Sequence, residues 1–198
     1  PENSLEALVA AMRIPSCDGV EFDVRLSRDD VPVLLHDATL ARVQHVRSRV
    51  DRLDAAELAR HGIPRLENVL GALPLAWMDI ELKGDGHGRA TASVLRAARG
   101  DAPATAVVSF ELATLVAMGD RLPGWTRWLN AEDLSPRTVS LAVDLGCRGV
   151  SVLGRAITPS SIAPAREAGL EVAAWTVRRR ATFSRLARLG VVACCVES

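Results

Sequence analysis

The stretch that decides the fold is GVEFDVRLSRDDVPVLLHD, residues 19–37. It predicts two apolar strands joined by a short polar turn around Asp29 and Asp30. Only about seven residues separate Val24 in the first strand from Pro32 in the second, whereas a parallel return needs a crossover of roughly a dozen or more. The two strands must therefore form an antiparallel hairpin.

The acidic residues of this hairpin point to a metal site. The two-residue period of a strand places Glu21 and Asp23 on one face, and counting outward from the turn places Asp23 about opposite His36. Two carboxylates on one face repel each other, and a hard divalent cation is the simplest compensation. The alternative is a solvated hairpin edge, on which acids alternate outward only because that face meets water.

Composition excludes several classes of protein. With 198 residues, of which 48% are hydrophobic and 24% charged, the chain is typical of one globular domain. Lys plus Arg and Asp plus Glu both number 24, so no excess of positive charge favours nucleic acid or an anionic membrane as a partner. No bilayer-length apolar run and no basic-then-apolar leader occurs, which predicts a cytoplasmic protein without stable membrane insertion.

A second acidic strand contains the only lysine of the chain. Of the 24 basic residues 23 are arginine, and Lys83 alone keeps a compact ammonium group. The strand LAWMDIELK, residues 75–83, places Asp79, Glu81 and Lys83 on one face, which we expect to point inward. Chance survival of a surface lysine is the alternative explanation.

Two segments outside these strands have helical signals. Asn3 is predicted as the N-cap of the first helix, with Glu6 as the reciprocal half of a capping box. Residues 38–62 are polar and rich in arginine, and they predict a loop over the site that contains a short helix from Asp54 through Leu58.

Strands and helices alternate regularly along the rest of the chain. Strands are predicted near residues 105, 125, 148, 171 and 191, at intervals of about 20 to 24 residues, which is typical of right-handed β/α units. With the strands near residues 18 and 78 they number seven. This count predicts an α/β fold, a (β/α)8 TIM barrel over residues 1–198, with its first strand before Pro1 and a β-hairpin extension after the strand of Glu21 and Asp23. An open doubly wound sheet is the alternative, although its Gly-rich first turn is missing.

Several short motifs occur in a fixed order along the chain. They are PENS at residues 1–4, Glu21-x-Asp23, His36-Asp37, IPRLE at 63–67, IELK at 80–83, Ser109-Phe110 and Trp175-Thr176-Val177. Their order and spacing resemble those of the glycerophosphodiester phosphodiesterases over nearly the whole chain. The resemblance implies a phospholipase C-like barrel that cleaves small-molecule glycerophosphodiesters to glycerol 3-phosphate and an alcohol.

The resemblance also implies a role for each residue that matches a family motif. Glu21, Asp23 and Glu81 would hold a divalent metal ion, Ca²⁺ or Mg²⁺, which as a hard cation suits oxygen ligands. His36 would act in acid/base catalysis, and Lys83 would lie at the phosphate site. Both strands identified above therefore contribute to one site at the C-terminal ends of the barrel strands.

The resemblance is incomplete at the two ends of the chain. The family has an H-R motif shortly before PENS, which would supply a second catalytic histidine. We expect His45, His61 and His87 to be surface residues rather than its replacement. Glu197 stands where the family often has an aspartate, before a last helix that we expect to follow.

Two other functions fit parts of the same pattern. A lysophospholipase D or sphingomyelinase D shares the metal motif but acts on lipids, and a non-catalytic barrel would bind a phosphodiester without hydrolysing it.

Trp175, near a strand end, would line the substrate pocket or serve as packing. The sequence leaves open the leaving alcohol, the native metal and the oligomeric state.

Overall fold

Helices and strands alternate throughout the described part of the chain. The computed structural model describes residues 2–100 and 104–197. The helices are Leu5–Ala11 (α1), Ala55–Arg60 (α2), Leu66–Ala72 (α3), Arg89–Arg99 (α4), Leu112–Arg121 (α5), Pro136–Asp144 (α6), Pro159–Glu167 (α7) and Arg180–Arg188 (α8). The strands are Gly19–Leu26 (β1), Pro32–Leu34 (β2), Trp77–Leu82 (β3), Thr105–Ser109 (β4), Thr126–Ala131 (β5), Gly149–Leu153 (β6), Glu171–Val177 (β7) and Ala193–Val196 (β8). The longest helix, α4, has 11 residues, so no helix within these two ranges could span a membrane.

One eight-stranded sheet organises the fold. Its strand order is β2-β1-β3-β4-β5-β6-β7-β8, and the strands pair in parallel except for β1 with β2. Each connection between consecutive parallel strands contains at least one helix, as a parallel crossover requires. The predicted α/β fold, its strand positions and the antiparallel hairpin after β1 are therefore confirmed.

The sheet is strongly curled. Cys195 lies on β8 and Asp79 on β3, five strands away in the sheet order, which in a flat sheet would separate them by roughly 24 Å. The Sγ atom of Cys195 nevertheless lies 3.7 Å from Oδ2 of Asp79. The strands therefore curve round as in a barrel, with Asp79 on the concave face. The further strand expected before Pro1 stays a prediction.

Alternation along the strands separates an apolar outer face from a mixed inner face. Phe22 and Ile80 point outward and are buried against α1, α3 and α4. On the inner face, Ala106, Trp128 and Ala173 form a small apolar cluster inside the barrel. The acids of β1 and β3 share this inner face, so the barrel interior is partly apolar and partly charged.

The hairpin register differs by one residue from the prediction. Val24 pairs with Leu34, and the backbone N–H of Leu35 donates to the carbonyl of Asp23 at 3.1 Å. Leu35, and not His36, therefore lies opposite Asp23. The reason is the loop length: Ser27 pairs with Val31, which leaves a three-residue loop that ends on a residue with φ of 57°, whereas the count assumed a two-residue turn.

The start of α1 also differs from the prediction. Ser4, not Asn3, is the N-cap, because its Oγ accepts from the N–H of Ala7 at 3.2 Å. Asn3 has a φ of 53° and lies outside the helix.

The short helix predicted after Asp54 is confirmed as α2, whose N-cap amide donates to the side chain of Glu57 at 2.8 Å.

Close contact between β6 and β7 gives a prediction about stability. A Cβ atom on Gly149 would clash with the carbonyl oxygen of Glu171, whereas one on Gly71 in α3 would meet nothing within 4 Å among the described residues. We expect Gly149→Ala to lower the free energy of unfolding by about 1–3 kcal/mol. Gly71→Ala, the matched control, should leave it unchanged or raise it by up to about 1 kcal/mol. Urea denaturation of both variants measures the difference, and equal stability of Gly149→Ala and wild type would contradict the predicted contact.

Candidate active site

Three carboxylates from two neighbouring strands meet on the concave face. Strands β1 and β3 pair in parallel with Asp23 opposite Glu81, and the two-residue period places Glu21 on the same face as Asp23. One side-chain oxygen each of Glu21, Asp23 and Glu81 lies within 4.8 Å of the other two. The structure thus brings together the three residues that the sequence analysis predicted as metal ligands.

Lys83 extends from the end of β3 into this cluster. Its Nζ lies 2.6 Å from Oε1 of Glu81 and 3.1 Å from Oδ1 of Asp23, and only 16% of its side chain is exposed. Burial alone would lower the pKa of Lys83, but the two carboxylates outweigh this effect and raise it above its usual value. The only lysine of the sequence is therefore a charged member of the cluster, and its explanation as a surface residue is wrong.

Negative charge exceeds positive charge in this cluster. Desolvation raises the pKa of Asp79 to about 7, with a further contribution from Glu81. Desolvation also raises the pKa of Glu81, although Lys83 opposes the shift. Glu21 keeps some contact with solvent. Partial desolvation and repulsion by the neighbouring carboxylates nevertheless raise the pKa of Glu21 well above its usual range. The face would therefore be stabilised by additional positive charge.

The donor set fits a hard divalent cation. The converging atoms of Glu21, Asp23 and Glu81 are carboxylate oxygens, which are the ligands that Ca²⁺ and Mg²⁺ prefer. Their spacing lets one ion contact all three. The raised pKa values of Glu21 and Glu81 indicate that Lys83 does not fully compensate the negative charge of these two carboxyl groups. The three residues are those that the resemblance assigned as metal ligands, and that assignment stays a prediction.

His36 follows the hairpin and is held by an ion-pair network. Its Nδ1 lies 2.7 Å from Oδ1 of Asp37, while Nε of Arg42 donates to Oδ2 of Asp37 at 2.7 Å. Arg42, through its hydrogen bond first, and His36 lower the pKa of Asp37 to about 2. Because an ionised carboxylate only accepts, Nδ1 carries a proton and Nε2 of a neutral His36 is free to accept one. The positive form of His36 is close enough to lower the pKa of Glu81.

Sequence reasoning missed part of this network. It assigned no role to Arg42, which also binds Glu2 through Nη1 at 3.0 Å and through a second short contact. Arg42 thereby joins the loop after the hairpin to the segment before α1. One arginine among 23 in the chain gives no local signal for such a contact.

Trp175 lies at the far side of the barrel mouth and has packing contacts. Its Nε1 donates to the carbonyl of Ser151 at 3.1 Å, and its ring contacts Phe110 edge to face at a centroid distance of 5.8 Å. Phe110 follows β4, three strands from β7, and is 40% exposed. The predicted contact of Trp175 with substrate stays a prediction, and Phe110 is a further aromatic residue beside it.

The prediction that His87 is a surface residue is wrong. The residue is only 2% exposed, and its Nε2 lies 3.3 Å from the carbonyl of Lys83 while its Nδ1 lies 3.1 Å from Oγ1 of Thr91. A carbonyl only accepts, so Nε2 of His87 carries a proton. His45 and His61 are exposed, as predicted.

Burial of His87 predicts a specific pH dependence of stability. Desolvation lowers the pKa of His87 to about 4 in the folded protein, against about 6.5 in the unfolded chain. Between these values the unfolded chain binds a proton that the folded protein does not. The free energy of unfolding should therefore fall as the pH drops from about 6.5 to 4, by roughly 1.4 kcal/mol per pH unit at most from this group.

The His87→Gln variant isolates this contribution. Glutamine can still donate to the carbonyl of Lys83 but does not titrate, so the variant should lose stability less steeply than wild type over the same pH range. Denaturant unfolding at several pH values measures both slopes. Identical slopes would contradict the assignment, because all other titrating groups are shared by the two proteins.

The fold and the site together define an α/β barrel enzyme, with its charged and titratable side chains at the carboxyl ends of the strands. The sequence matches the glycerophosphoryl diester phosphodiesterase family over residues 1–198. The chain belongs to that family, and its enzyme class is that of a phosphodiesterase. The resemblance drawn from the ordered motifs is confirmed.

One relative supports this assignment, and solved structures share the fold. The chain is 30% identical to "Probable glycerophosphodiester phosphodiesterase 2" of Mycobacterium tuberculosis over 201 residues, covering 89% of this chain and 74% of that protein. A phosphodiesterase from Oleispira antarctica, solved with its product sn-glycerol-3-phosphate, has a TM-score of 0.89 at 22% identity, covering 99% of this chain and 87% of the other. A glycerophosphodiester phosphodiesterase from Agrobacterium tumefaciens has a TM-score of 0.81 at 24% identity, covering 99% and 90%. These structural likenesses support the barrel fold.

Proposed function

We propose that this protein catalyses the metal-dependent hydrolysis of glycerophosphodiesters to sn-glycerol 3-phosphate and an alcohol. The observation that carries the proposal is the cluster of Glu21, Asp23 and Glu81, whose oxygens converge within 4.8 Å beside Lys83. Membership of the family and the product named for the Oleispira antarctica structure support the substrate class. When bound, Ca²⁺ or Mg²⁺ would neutralise charge on the phosphodiester and act as a Lewis acid.

The remaining steps are assigned to side chains of this chain. His36 would move a proton through Nε2, since its Nδ1 is committed to Asp37. Lys83 would attract the phosphate and stabilise the negative charge that develops during attack on phosphorus, because its ammonium is fixed by Asp23 and Glu81 and needs little reorganisation. Trp175 would close the side of the pocket opposite β1 and contact the glycerol or the leaving alcohol.

Hydrolysis of glycerophosphocholine by the full-length protein tests this proposal directly. We expect release of sn-glycerol 3-phosphate that stops with a chelator and returns when Ca²⁺ or Mg²⁺ is added. Glu81→Gln should reduce this activity by more than the roughly 10- to 100-fold that is typical of losing an outer partner of a ligand. The matched control is Glu167→Gln, on the last turn of the outer helix α7, which should behave as wild type.

Two outcomes would contradict the proposal. Activity of Glu81→Gln equal to wild type, with or without chelator, would exclude Glu81 as a ligand. Turnover of lysophosphatidylcholine by a protein that leaves glycerophosphocholine intact would replace the substrate class with lipids.

The role of His36 gives a separate kinetic prediction. His36→Asn should lower kcat by roughly 10²- to 10⁴-fold, the usual contribution of general acid or base catalysis, and leave the metal concentration for half-maximal activity unchanged. His45→Asn is a matched control, because His45 is exposed with a φ of 58°, a conformation that asparagine tolerates. Steady-state kinetics with the metal varied separates the two effects, and an unchanged kcat in His36→Asn would remove His36 from the mechanism.

A further inference from the structure

Asn3 makes two hydrogen bonds to a single residue, the candidate ligand Asp23. Its Nδ2 donates to Oδ2 of Asp23 at 2.8 Å, and its Oδ1 accepts from the backbone N–H of Asp23 at 2.8 Å. The two contacts need a donor and an acceptor on one short side chain. Asparagine is the residue that offers both at this length.

The position of Asn3 in the chain makes this contact specific. Asn3 precedes the N-cap Ser4, and its φ of 53° lies in the left-handed region, which asparagine tolerates better than most residues. The N–H and C=O of Asp23 both point away from β3, and the C=O binds Leu35 beyond the end of β2. The Oδ1 atom of Asn3 accepts from the backbone N–H of Asp23 at the point where the pairing of β1 with β2 ends.

The contact also divides the two oxygens of Asp23 between two donors. Oδ2 accepts from Asn3 and Oδ1 accepts from Lys83 at 3.1 Å, while Asp23 itself is only 6% exposed. Each carboxylate oxygen can accept about two contacts, so a position on each oxygen stays open to a cation. With both oxygens held, the plane of the carboxylate is fixed.

We propose that Asn3 is a positioning residue that sets the orientation of Asp23 for cation binding, an inference that rests on the proposed function of the cluster. Outer partners of this kind typically change metal affinity by roughly 10- to 100-fold. Because Mg²⁺ demands near-octahedral geometry whereas Ca²⁺ accepts irregular coordination, loss of orientation should weaken Mg²⁺ binding more than Ca²⁺ binding.

Calorimetric titration of metal-free full-length protein with Mg²⁺ and with Ca²⁺ tests the inference. Asn3→Gly removes the amide and keeps a residue that accepts a φ of 53°, so the dissociation constant for Mg²⁺ should rise roughly 10- to 100-fold and that for Ca²⁺ should rise less. Asn3→Asp, of the same size, keeps an acceptor for the N–H of Asp23 but no donor for Oδ2. Its added charge acts on both cations, so the Mg²⁺-to-Ca²⁺ ratio of dissociation constants should again rise.

Ser4→Ala is the matched control. It removes the N-cap contact to Ala7 next to Asn3 and should cost about 1 kcal/mol of stability without touching Asp23, so both dissociation constants should stay at the wild-type values. An unchanged ratio in folded Asn3→Gly and Asn3→Asp, or an equal change in Ser4→Ala, would overturn the positioning role. Absence of cation binding in wild type would overturn the proposed function itself, and the inference with it.

Discussion

The parallel pairing of β1 with β3 is the constraint on which the candidate site depends. This register sets Asp23 directly beside Glu81 and Glu21 beside Asp79, so two acidic strands present their carboxylates to the same concave face. Like charges placed side by side on a sheet are destabilising. Lys83 reduces this cost because pairing continues one residue further, where its N–H donates to the carbonyl of Val24 and its ammonium turns back between Asp23 and Glu81.

One lysine cannot neutralise the charge of four carboxylates. The remaining charge can be neutralised by bound protons or by a cation. The raised pKa values of Glu21, Asp79 and Glu81 mean that protons bind this face more tightly than they bind ordinary carboxylates. A site that binds protons tightly is also one in which a metal ion competes with protons, so cation affinity should weaken as the pH falls. Charge repulsion in the folded protein and the proposed affinity for a cation are two consequences of the same geometry.

The site could be predicted in outline from the sequence, whereas details set by single turns could not. The two-residue period predicted which acids of each strand share a face, the resemblance to the family joined Glu21, Asp23 and Glu81 in one ligand set, and the structure brings the three carboxylates together. The hairpin register could not be predicted, because the sequence is compatible with both a two-residue and a three-residue loop. Only the backbone conformation of Asp30 distinguishes the two loops.

His87 and Asn3 were misjudged for a related reason. Gly84 and Gly86 both have positive φ values, and the turn that they form carries His87 beneath the carbonyl of Lys83. A Gly-rich stretch is typical of an exposed loop, and the sequence alone does not predict whether its side chains point into the protein or toward solvent. Asn3 and Ser4 are both good N-cap residues, and the choice between them is made by Asp23, a contact twenty residues away.

The interior of the barrel changes character along its axis, and this gradient strengthens the site. Along β3 the inward side chains run from Trp77 through Asp79 to Glu81, and the Trp77 ring lies 5.8 Å from that of Trp128. Asp79 lies between these two tryptophans and the charged side chains around Lys83. Its Oδ1 atom is buried and has no hydrogen-bond partner in the described residues. Its raised pKa favours the neutral form, which suits an apolar neighbour. The side chains of Asp23, Glu81 and Lys83 are between 9% and 16% exposed, so their charges interact through a lower effective dielectric, and each contact among them is stronger than it would be on an open sheet.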